Sequence, residues 1–122
     1  MSVPAEIREF ILRNIDSIAD MEALLLVSRE TSRRWESATL ARRLYISGQE
    51  AGQVLSRLHA RGLLTFMDGT YAFDPKADPE ELVAKIAAIY AEQLIPITNL
   101  IHSKALSRVQ QFADAFKLKK DD

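Results

Sequence analysis

The sequence predicts a mainly α-helical chain in which two short helices and a two-stranded β-hairpin are followed by a long C-terminal helical extension. Three observations predict it. Leu40, Ala41 and Leu44, and then Ala51, Val54, Leu55 and Leu58, recur at the three- and four-residue spacing that places side chains on one face of a helix. Leu63-Leu64-Thr65-Phe66-Met67 and Thr70-Tyr71-Ala72-Phe73-Asp74 flank Asp68-Gly69, a dipeptide that accepts the positive φ angles of a two-residue hairpin turn. Beyond Asp78, Leu82, Val83, Ile86, Ile89, Tyr90, Leu94, Ile97, Leu100, Ile101, Val109, Phe112 and Phe116 keep a helical rhythm nearly to the C-terminus.

Each element has a local cause. Pro4 suits a first helical turn, where its missing N–H is no loss, and Ile7, Phe10, Ile11 and Ile15 follow at helical spacing. Asp16-Ser17 interrupt this helix. Ser17 can cap the next one, whose apolar face is Met21, Leu24, Leu25 and Val27. Trp35 is expected either to add a short strand to the hairpin or to plug the core beneath the second motif helix. Tyr45-Ile46 lead into a turn, and Ser47-Gly48-Gln49-Glu50 fits a capping box that fixes where the second motif helix begins. Arg61-Gly62 ends it. Asp78-Pro79-Glu80-Glu81 combines a capping aspartate, a first-turn proline and two carboxylates near the positive end of the helix dipole, so a long helix should start there. Pro96 should kink or divide that helix, and His102-Ser103-Lys104 interrupts its apolar stripe.

A chain of 122 residues, 48% hydrophobic and 27% charged, is long enough for one compact domain with an appendage. The domain is assigned to residues 1–78 and the helical extension to 79–122. No apolar run approaches the roughly 18 residues of a membrane span. The first residues lack a secretory pattern, and the expected location is the cytoplasm. The chain has no cysteine and two histidines far apart in sequence, which excludes disulfides, thiolate chemistry and a zinc-type site; no metal or cofactor is expected. Ser56 and His59 lie one helical turn apart, but no orienting acid or oxyanion-hole motif accompanies them. Gly48, Gly52, Gly62 and Gly69 are too scattered for a phosphate loop, so no catalytic residue is expected and the protein is read as non-enzymatic.

The net charge of −1 conceals an asymmetry. Residues 1–28 carry −3, residues 29–61 carry +4 from seven arginines against three glutamates, and residues 62–122 carry −2. The whole positive excess falls on the two short helices and their approach. On a wheel of about 100° per residue, Gln49, Gln53, Ser56 and Ala60 face outward from the second helix, with Glu50, Arg57 and Arg61 along one flank.

Trp35, Leu40-Ala41-x-x-Leu44, Val54-Leu55-x-x-Leu58-x-x-x-Gly62-Leu63-Leu64 and the short hairpin together resemble bacterial winged helix-turn-helix regulators, broadly the MarR-like and PadR-like group. The resemblance covers about half of the chain. It implies that the second motif helix enters the major groove of double-stranded DNA while the hairpin, the wing, touches the backbone or minor groove. By position, Gln49, Gln53, Ser56 and Arg57 would then meet bases and nearby phosphates, and Arg33, Arg34, Arg42 and Arg43 would contact phosphates. It also implies a homodimer through the terminal helix, burying Ile86, Ile89, Tyr90, Ile97, Leu100 and Ile101 against a second copy. The expected function is DNA binding in transcription regulation. The acidic wing tip and neutral helix face leave an alternative open, an adaptor that docks another protein through the wing or the terminal helix, with Lys117, Lys119 and Lys120 as a solvated tail. Mixed acidic and basic residues argue against a membrane-surface helix.

Overall fold

The computed structural model describes the backbone of residues 3–120 and the side chains of residues 3–115; the lysine tail and Phe116 therefore lie outside the described side chains. The element order is α1 (Ala5–Asn14), α2 (Ile18–Arg29), α3 (Ser37–Leu44), α4 (Gly48–Ala60), β1 (Leu64–Met67), β2 (Thr70–Phe73), a 3-10 turn (Pro75–Ala77), α5 (Leu82–Ile89) and α6 (Leu94–Lys120). Most of the described chain is helical, and β1 and β2 form a two-stranded antiparallel sheet.

The local signals act where the chemistry places them. Ser17 starts α2 by accepting the Asp20 N–H at 3.1 Å, and Ser47 starts α4 by accepting the Glu50 N–H at 3.0 Å, the serine half of the expected capping box. Gly62, at φ 80°, lets the Leu63 N–H reach back to the Leu58 carbonyl at 3.0 Å and stop α4. Asp68 and Gly69, at φ 52° and 78°, make the hairpin turn and fix a register of Leu64 opposite Phe73 and Met67 opposite Thr70. Trp35 fulfils both expected roles. Its backbone exchanges hydrogen bonds of 2.7 and 2.8 Å with Tyr71, a one-residue third rung on the hairpin, and its fully buried ring plugs the core.

The C-terminal part departs from expectation in two ways. The helix predicted from Pro79 begins only at Leu82, because both Asp78 carboxylate oxygens reach forward to the N–H groups of Leu82 and Val83, each at 2.8 Å, leaving Glu81 at φ 56° in the connecting loop. The expected break also falls earlier than Pro96, at residues 90–93; Pro96 sits in the first turn of α6, where it has no N–H to lose. His102-Ser103-Lys104 passes through α6 without interruption.

One hydrophobic cluster joins α1 (Ile7, Phe10, Ile11), α2 (Met21, Leu24, Val27), Trp35, α3 (Leu40) and α4 (Val54, Leu55, Leu58) to Val83 and Ile86 of α5 and Ile97 and Ile101 of α6. Residues on both sides of position 78 therefore share this core. Among the predicted dimer residues, Ile86, Ile97 and Ile101 are fully buried within the chain itself, and Ile89, Tyr90 and Leu100 pack half-buried against the same cluster. Ile86, Ile97 and Ile101 are thus covered within the chain by its own core, while Ile89, Tyr90 and Leu100 keep part of their surface exposed. No helix of the described residues is long and apolar enough to cross a membrane.

Candidate nucleic-acid interface

α3 and α4 meet at a tight turn built on Tyr45, whose backbone is left-handed at φ 58° and ψ 41°. A non-glycine residue pays roughly 1–2 kcal/mol for that conformation. Its side chain, 95% exposed, recovers nothing by burial; the compensation is the Ile46 N–H reaching the Ala41 carbonyl at 3.1 Å and α4 starting at once from Ser47. Ala51, Val54, Leu55 and Leu58 then turn inward and hold α4 on the core, while Gln49, Gln53, Ser56 and Ala60 are exposed on its opposite face, as the wheel predicts.

The arginines are less free than their sequence suggests. Arg33 and Arg43 lie over the Trp35 ring at 4.5 and 5.4 Å, and both reach Glu30, Arg43 at 2.8 Å and Arg33 at 3.6 Å. The hydrogen bond from Arg43 is the main reason the Glu30 carboxyl titrates below the ordinary carboxylate range. Arg34 donates to the Thr70 hydroxyl at 2.6 Å and the Thr70 carbonyl at 3.0 Å, which pins the approach to the hairpin. Arg42 has no hydrogen-bond or ion-pair partner among the described residues.

Arg57 has a buried partner that its sequence position does not announce. Its guanidinium grips the fully buried Asp20 with contacts of 2.7 and 3.2 Å, and that hydrogen bond holds its proton more tightly than usual. Arg57 ties α4 to α2 while its side chain stays 37% exposed. Arg61 is similarly held, by Asp16 at 3.2 Å and by the Arg13 carbonyl. Asp16 also receives Lys104 at 3.0 Å and Arg108 at 3.1 Å from α6. Burial acts to raise its pKa, but hydrogen bonds from these two cations prevail and hold the carboxyl at about 2.

Sequence reasoning missed these three acids as arginine partners. Asp16 and Asp20 are four positions apart across a helix start, and nothing in that spacing announces that α4 will lie beside it. His59 packs against Phe66 and Tyr71, with ring centroids 6.0 and 5.9 Å away, and Phe66 and Tyr71 are 4.8 Å apart. Phe66 and Met67 are exposed on opposite faces of the hairpin, which ends in the acidic Asp68. Elsewhere a groove of about 960 Å³ runs between α2 and α5, lined by Leu25, Leu26, Phe73, Ala84, Ala87 and Tyr90. Among the described residues no group of His, Cys, Asp and Glu is arranged to hold a metal ion. Comparisons with family models, with curated proteins and with solved structures returned no match.

Proposed function

We propose that this chain is a winged helix-turn-helix module that binds double-stranded DNA through the exposed face of α4 and serves transcription regulation without catalysis. The observation that carries the reading is the strip Gln49, Gln53 and Ser56, hydrogen-bonding side chains left exposed on a helix whose opposite face is fully buried. Around it, α3 and the turn supply the helix-turn-helix, and the hairpin with its Trp35 rung supplies the wing. Glutamine amides match the donor and acceptor pair of adenine in the major groove.

Phosphate contact falls to Arg42 foremost, then to Arg33, Arg34 and Arg43, whose intramolecular partners lie at the surface and exchange at little cost. Arg57 is removed from the contact set. With roughly three or four phosphates neutralised, raising salt from about 50 to 200 mM should weaken binding about 40- to 150-fold. Titration of a mixed-sequence duplex with the full chain at those two concentrations tests this, and Arg42→Ala should reduce the logarithmic salt slope by about one. No affinity at the lower salt defeats the reading.

A second reading, a protein-docking adaptor, is favoured by the exposed Phe66 and Met67 beside an acidic wing tip. It predicts that Phe66→Ser abolishes partner binding while DNA has no effect on the protein.

A further inference from the structure

Among the described residues Tyr45, Asp68 and Glu81 take a left-handed backbone without being glycine. Two of them have a local reason. Aspartate is one of the few residues that visit this region readily, and Asp68 closes the hairpin there. Glu81 is set by the forward reach of Asp78, whose carboxylate takes the N–H groups of Leu82 and Val83 just beyond it. Tyr45 has no such reason. The bond from the Ile46 N–H to the Ala41 carbonyl involves backbone alone, so a glycine in the turn would keep it and carry no strain. The Tyr45 side chain is also the most exposed of the large apolar side chains described, and its hydroxyl makes no hydrogen bond among the described residues. The fold therefore holds a strained backbone and a wetted aromatic ring for a side chain that adds nothing to its core.

We propose that Tyr45 is a further nucleic-acid contact, its ring packing on a deoxyribose and its hydroxyl donating to a phosphate oxygen of the duplex. The inference rests on the duplex-binding reading of α4 and adds a residue to it. Position favours the sugar-phosphate backbone over the bases. Tyr45 stands in the turn ahead of α4, three residues after Arg42 and four before Gln49, where the exposed strip of that helix begins. Charge favours a polyanion as the partner, since residues 29–61 hold the whole positive excess of the chain. A phenol suits this place. It offers a neutral donor on a flat apolar body, and with two side-chain torsions it loses little freedom on contact.

The test sets stability against affinity in the full chain. Tyr45→Gly should raise the folding equilibrium constant about three- to tenfold, because the strain released exceeds the freedom that glycine gains in the unfolded chain. The same variant should bind a mixed-sequence duplex at 50 mM salt about tenfold more weakly, or worse. Tyr45→Ala keeps the strained backbone and removes the ring, so it should lose affinity alike with no gain in stability. Tyr45→Phe removes the hydroxyl alone and should give an intermediate loss. Tyrosine carries no charge, so the logarithmic salt slope of Tyr45→Gly should match that of the wild type, and the loss should be the same on duplexes of different sequence. Wild-type binding that Tyr45→Gly leaves unchanged overturns this contact and spares the reading of α4; a wild-type chain with no duplex affinity overturns both. A Tyr45→Gly chain less stable than the wild type shows that the side chain serves the fold, and overturns the proposal without any DNA. A loss confined to particular sequences overturns the phosphate contact.

Discussion

α4 and the outer half of α6 are both amphipathic helices, yet they expose opposite kinds of surface. α4 buries its apolar face on the core and presents glutamines and a serine; α6 beyond Lys104 exposes leucine, valine and phenylalanine. The difference shows that an apolar stripe in a sequence reports that a face is to be covered, and leaves open what covers it. In α4 the cover is the same chain, whereas over residues 105–115 of α6 no described residue supplies one.

The contrast breaks most visibly at the core. Trp35→Ala or Leu58→Ala should cost about 3–5 and 2–5 kcal/mol respectively, read from denaturant unfolding, because each leaves a cavity under α4. Trp35→Phe should cost much less, since it keeps most of the ring and removes an indole N–H that has no hydrogen-bond partner among the described residues.

Next comes the tie between α4 and α2. Asp20→Ala should destabilise by about 1–3 kcal/mol, less than a fully buried pair because the Arg57 side chain is 37% exposed and can rehydrate. If the variant instead gains DNA affinity, Arg57 returns to the contact set.

The Asp16 hub links both helices and makes their joint dependence on pH measurable. Its carboxyl is lowered from 3.8 to about 2 in the folded state, so the stability it contributes is present above pH 4 and is lost as pH falls from about 4 to 2. The amplitude is about 2 kcal/mol, and Asp16→Asn should remove that step from the acid unfolding profile. The smallest effect belongs to the outer helix. Val109→Lys at submicromolar concentration should alter unfolding stability by less than about 0.5 kcal/mol, because the side chain is 64% exposed.

Much of the fold was legible because its signals are local. Ser17, Ser47, Gly62 and Asp68-Gly69 each act within five residues, and helical spacing around Leu40 and Val54 states which face turns inward. The partners of the arginines were not legible, since Asp20 and Arg57 are 37 positions apart and meet only after α2 and α4 pack. The same holds for Ile86, Ile97 and Ile101. Their periodicity is the same whether a second copy or α1 and α2 cover them. Pro96 signals a kink or break, but a proline is equally content in a first turn, and the break falls just ahead of it.

Trp35 is the sole tryptophan, buried beneath the guanidinium groups of Arg33 and Arg43. The molecule thus contains its own optical gauge. Any polyanion that draws those two cations from the indole alters the local field on its excited state, so intrinsic emission should report engagement of this surface without a label. Unfolding, which wets the ring, should shift the same emission to longer wavelength, so a single wavelength scan distinguishes an occupied surface from a lost fold.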